Sequence, residues 1–161
     1  MLSLELANRI IEGALKHGRK TSCAPLTVAV LDAGGHLIAF QREDRSGILR
    51  PDIAVGKAWG ALGMGTSSGA LAERLSGNPS FLNALAAMSQ GRVVPAAGGV
   101  LVRQQDGTVV GAVLNRETDP STSQAQEAAR KETRDGGVHG VRKGGKGQNE
   151  EGPNKITVFK Q

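Results

Sequence analysis

The chain has 161 residues, 39% of them hydrophobic, with a formal net charge of +5 and a pI near 9.8. That length suits one domain, and with no run of 18 apolar residues to cross a membrane and with Glu5 and Glu12 interrupting any signal-peptide core, cytoplasmic residence is expected. A single cysteine, Cys23, excludes an internal disulfide and a cysteine-based zinc site, and the lack of Tyr, with one Trp and three Phe, argues against nucleic acid as a partner because bases stack on aromatic rings.

Residues 3–17 place Leu6, Ile10, Ile11, Ala14 and Leu15 at helical spacing against Glu5, Arg9, Glu12 and Lys16. The spacing predicts an amphipathic helix stopped by Gly18, with His17 in the last turn, where a protonated imidazole complements the helix C-terminus. Residues 26–31 and 36–42 are β-branched and apolar runs around Asp32-Ala33-Gly34-Gly35, the composition of a hairpin turn that needs positive φ. A charged loop follows, with Arg42, Glu43, Asp44, Arg45, Arg50 and Asp52, and Pro51 then presets φ for the first turn of a helix that runs to about Met64. On this helix Gly56 and Gly60 lie four apart. Each costs about 1 kcal/mol relative to alanine, which predicts another backbone passing close by.

Ser67 or Ser68 caps a short helix to Leu75, and Asn78-Pro79 opens another that Gly91 stops. Residues 92–94 read as a short strand before Pro95. Period-two runs at 100–104 and 108–114 then flank a two-residue turn at Asp106-Gly107. The expectation is an α+β fold with a five-stranded antiparallel sheet and helices packed on it. Beyond Leu114 the chain turns polar and rich in glycine and lysine, so a folded domain is expected over 1–114 and a disordered tail over 115–161. The positive charge divides as +3 and +2 between these parts, without a dense basic stripe.

No nucleophile motif, phosphate loop or dinucleotide fingerprint occurs, so the candidate sites rest on position. Arg42, Asp44, Arg50 and Lys57 bracket one loop and one helix start, where an anion or carboxylate could be held; a purely structural ion-pair network is the alternative. His36, beside the glycine turn, is the candidate iron or macrocycle ligand, with an exposed turn residue as its alternative. Six residues of strand put His36 and Arg42 about 20 Å apart, too far to serve one small group. Of the two sites, clustered charge between a strand end and a helix start favours Arg42, Asp44 and Lys57.

The motifs Asp32-Ala33-Gly34-Gly35-His36-Leu37, Arg42-Glu43-Asp44, Lys57-Ala58, Gly98-Gly99-Val100, and Asp106-Gly107 leading to Gly111-Ala112-Val113 resemble the GlcG/HbpS family, also found as the C-terminal domain of PduO-type proteins. The resemblance spans about residues 3–114. It implies an α/β sandwich, a homo-oligomer, and binding of haem or a related tetrapyrrole. In that family a closing alanine-rich helix follows the Gly-Ala-Val strand, whereas Leu114-Asn115-Arg116 opens an unrelated sequence here. Loss of that helix predicts exposed apolar surface around Val109, Val113 and the first helix. Three readings follow: a small-molecule (haem or other tetrapyrrole) binding module, an enzyme acting on a small carboxylic acid with Arg42 and Lys57 as anion holders and Asp44 as proton-transfer group, and a self-associating scaffold.

Overall fold

The computed structural model describes residues 1–114 and the backbone of 156 and 157. The expectation of a disordered 115–161 tail falls almost wholly outside the described residues. The elements run α1 (Leu4–Lys20), β1 (Thr27–Asp32), β2 (Leu37–Arg42), α2 (Arg50–Met64), α3 (Ser68–Leu75), α4 (Pro79–Met88), β3 (Gly99–Gln104) and β4 (Val109–Leu114), with β5 (Ile156–Thr157) far along the chain. This is an α+β fold in which β2, β1, β4 and β3 lie in that order as an antiparallel sheet. At the outer edge of β3, the two residues of β5 pair with Arg103 and Gln104.

Alternation along the central strand β1 decides the two layers. Val28 and Val30 point to one face and join Ile10, Ile11 and Ala14 of α1; Ala29 and Leu31 point to the other and meet Ala54, Ala58 and Ala61 of α2. Valines and isoleucines fill the α1 side, while alanines dominate the α2 side, so α2 lies close to the sheet. A third cluster, Leu71, Leu75, Leu85 and Val93, packs α3 and α4 together beyond α2. Val113 is buried in the α1 core, contrary to the exposure expected there. The exposed large apolar side chains include Leu37, Phe40, Ile48 and Leu49, on β2 and the loop after it.

The strand expected at 92–94 does not form. Val94 donates its N–H to the Gly56 carbonyl and Val93 packs beside Gly60, so this segment lies against α2 rather than joining the sheet. It is the close backbone that the paired glycines predicted. Gly18 does not stop α1 either: the helix continues to Lys20, and Leu26 occupies the space a Gly18 Cβ would need. Both hairpins have three-residue loops closed by a glycine in the left-handed region, Gly35 (φ 82°) and Gly107 (φ 85°). In each, the N–H of the loop's closing glycine bonds to the carbonyl three residues back, Gly35 to Asp32 and Gly107 to Gln104. The second turn is thus one residue longer than its Asp-Gly pair suggested.

A β-carbon at Gly56 would lie 2.7 Å from Val94 Cγ2 and 2.8 Å from the Arg92 carbonyl oxygen. Because the second neighbour is backbone, Gly56→Ala is expected to cost about 1–3 kcal/mol in overpacking. Urea unfolding checks it, and a midpoint equal to wild type would contradict the close approach.

Candidate functional site

The β1–β2 turn is built around one carboxylate. Asp32, the last residue of β1, accepts the Gly34 N–H at 2.8 Å and the His36 N–H at 2.9 Å on Oδ1. These contacts, the His36 backbone bond foremost, hold the Asp32 carboxyl below its ordinary pKa. The stability they give is therefore present above the ordinary carboxylate value and is lost only as pH falls through the lower, folded-state value. The same carboxylate lies 3.2 Å from His36 Nδ1 through both oxygens. With Nδ1 engaged, Nε2 is the ring nitrogen available to a ligand, on a side chain that is 81% exposed.

Beneath the turn sits the one tryptophan of the chain. Gly35 lies so close that a β-carbon there would be 2.9 Å from both Cδ1 and Nε1 of Trp59. The Arg92 guanidinium lies over the Trp59 ring, 4.5 Å from its centroid, and Arg92 Nε donates to the Ser89 carbonyl at 3.3 Å. Turn, indole and guanidinium thus form one contiguous surface. On the neighbouring strand, Leu37 and Phe40 expose apolar side chains. A bulge interrupts β2 beside the turn: Leu37 pairs with Leu31 and Ala39 with Val30, leaving Ile38 as the extra residue.

Arg42 and Asp44 lie at the opposite end of β2. With Leu15, Arg19, Pro25, Gln41 and Glu43 they line an open groove of about 480 Å³ beside α1. Much of its charge is already committed. Glu43 accepts Arg19 Nε at 2.9 Å on one oxygen and the Leu26 N–H at 2.5 Å on the other, and Arg42 Nη1 donates to the Ser46 carbonyl. Ser46 in turn shares a 2.7 Å hydroxyl bond with Thr27. These bonds tie the loop to β1.

Lys57 does not line that groove. It is buried in α2 at 3% exposure, and its Nζ donates to the Ala97 carbonyl at 3.0 Å. The cations that sequence spacing grouped around one loop therefore have separate duties. His17 lies in the last turn of α1 as expected, with its Nε2 out of solvent and without a hydrogen-bond partner. Among the described residues no group of three or more His, Cys, Asp or Glu side chains is placed to cage a metal ion, and no helix is long and apolar enough to cross a membrane.

Sequence reasoning singled out His36 but missed its pairing with Asp32 and the Trp59–Arg92 stack. An aspartate four residues before a histidine across a Gly-Gly turn was a usable signal for the first. Arg92 carried none, since its neighbour Trp59 is 33 positions away in the chain.

A family model described as haem degrading protein HbpS-like matches residues 2–116. No curated protein sequence matches the chain. Among solved structures, a PduOC–haem complex is similar with a TM-score of 0.67 at 23% identity, over 81% of this chain and 91% of that one. The ORFY protein of Klebsiella pneumoniae gives 0.67 at 24% identity, over 81% and 86%. These two bear on the fold alone. A double mutant of HbpS from Streptomyces reticuli gives 0.63 at 26% identity, over 81% of this chain and 84% of that one.

Because Lys57 is spent on the Ala97 carbonyl, Lys57→Met is expected to act on stability: leaving that carbonyl without its donor costs about 1–3 kcal/mol. Denaturant titration reads the loss. Unchanged stability would mean that Lys57 does not hold the 95–98 loop.

Proposed function

Since this chain belongs to the HbpS-like family, we propose that it binds haem or a closely related tetrapyrrole, with Nε2 of His36 as the iron ligand. The observation that carries this reading is the bond from His36 Nδ1 to the Asp32 carboxylate. A histidine that ligates a metal almost always gives its other ring nitrogen to a carboxylate or carbonyl, which fixes ring orientation and raises basicity. Asp32 is itself anchored by two backbone amides, so the imidazole hangs from a rigid support.

The surroundings suit a flat apolar macrocycle. Trp59, Leu37 and Phe40 offer apolar area near the turn, and the exposure of His36 leaves room for a wide ligand. Bound haem would supply an iron centre whose chemistry follows from its axial ligand and hydrogen bonding. This chain's part is to present an oriented imidazole, to cover the ring's apolar faces, and to neutralise its acidic edge. The family description, haem degrading protein HbpS-like over residues 2–116, supports haem as the ligand. Arg42, Asp44 and Lys57 are assigned here to the scaffold, on the strength of the contacts that occupy Arg42 and Lys57.

Residues 1–114 are assigned as the ligand-binding domain, working as a homo-oligomer. The exposed Leu37, Phe40, Ile48 and Leu49 support self-association, since apolar side chains of this size left open on a lone subunit can be covered by a second copy. Light scattering is expected to give a mass that is a multiple of 16.7 kDa; a monodisperse monomer at micromolar concentration contradicts this part of the reading.

Titration with haemin is expected to shift the Soret band in the wild type. His36→Ala loses the shift with circular dichroism unchanged. Asp32→Asn keeps an oxygen for the two backbone amides but loses the charge behind the imidazole, and it is expected to bind about 10- to 100-fold more weakly. A full Soret shift in His36→Ala sinks the assignment.

A further inference from the structure

Arg92 is unexplained by fold and ligation alone, and its setting leads beyond the iron. We propose that Arg92 recognises a carboxylate on the rim of the tetrapyrrole, a propionate in the case of haem, and so selects carboxylate-bearing macrocycles over esterified or neutral ones. The inference rests on the haem reading above.

Trp59 has the Gly35 turn against one part of its indole and the Arg92 guanidinium over its ring, while His36 is the next residue after Gly35. The proposed imidazole ligand and a cation therefore flank a single indole. A tetrapyrrole bound by His36 would lie across the surface that carries this guanidinium, and its acidic rim is the part of such a ligand that a cation attracts.

Gln90 (φ 55°) and Gly91 (φ 76°) turn the chain back sharply after α4 and deliver Arg92, while the following Val93 and Val94 are wedged against Gly60 and Gly56. Its Nε is committed to the Ser89 carbonyl, and the planar guanidinium lies over Trp59. Backbone and side chain are thus fixed before any ligand arrives, which reduces what is lost on binding.

No carboxylate among the described residues pairs with Arg92, and its Nη groups have no hydrogen-bond partner there. Two adjacent N–H groups at the end of a fixed guanidinium match the two oxygens of a carboxylate, and a charge-assisted pair of this kind is the strong class of hydrogen bond.

The test compares iron protoporphyrin IX with its dimethyl ester, titrated into wild type, Arg92→Ala and Arg92→Lys and read by the Soret band. Fluorescence of Trp59 reports whether the indole keeps its environment. Wild type is expected to prefer the free acid; Arg92→Ala loses about 10- to 150-fold for the acid and leaves the ester unchanged, with the Soret position of the bound form retained. Arg92→Lys, which keeps the charge but not the fork, falls between. Equal losses for acid and ester, with altered Trp59 fluorescence, overturn the inference and make Arg92 a brace for the indole; no loss for either overturns it as well. Absence of a Soret shift in the wild type with both forms overturns the haem reading itself, and this inference with it.

Discussion

Helix α2 can lie where it does only because Gly56 and Gly60 carry no side chains. The 92–94 segment crosses the helix at these two positions, with the Arg92 carbonyl and Val94 beside Gly56 and Val93 beside Gly60. On its other side α2 meets the sheet through alanines, and at Gly99 of β3 a β-carbon would lie 2.5 Å from the Lys57 carbonyl oxygen. The helix is therefore held between two backbones with almost no side-chain volume between. Such packing leaves little room for adjustment. The side chains it does carry at the margins, Lys57 and Trp59, are fixed with it, and Trp59 reaches the β1–β2 turn on one side and Arg92 on the other.

Much of this was legible in local sequence. Amphipathic spacing located α1, the serine and asparagine caps located α3 and α4, and the glycines four apart on α2 foretold a close backbone. Where local signals failed, a packing or cross-strand contact had overridden them. Residues 92–94 have strand composition, but the groove over α2 takes the segment before any sheet edge can. Gly18 looked like a helix stop and is instead the point where α1 admits Leu26. Asp-Gly at 106–107 suggested a two-residue turn, whereas pairing between Gln104 and Thr108 sets a three-residue loop.

The site was legible only in part, for the same reason. Spacing grouped Arg42, Asp44 and Lys57 because they flank one loop, yet α2 turns Lys57 under the 95–98 loop while Arg42 holds Ser46. Charge density along a chain counts neighbours without showing which charges are already answered. In this fold the dense cluster includes the bond from Arg42 to Ser46 and the Arg19–Glu43–Leu26 chain, which tie the loop down. The sparse one leaves an exposed imidazole and an open guanidinium. Openness, not density, distinguishes the two, and it depends on contacts across 33 residues between Trp59 and Arg92.

The turn and the site are also one object, since Asp32 does both jobs. Its carboxylate closes the hairpin through the N–H groups of Gly34 and His36, and the same oxygens meet the imidazole. With its pKa held down mainly by those amides, the carboxylate keeps its charge below the ordinary carboxylate range, so mild acid does not dissolve the support. An aspartate that made only the turn, or only the imidazole contact, would leave the other without a fixed support; one anchored carboxylate holds hairpin and ring in a single geometry.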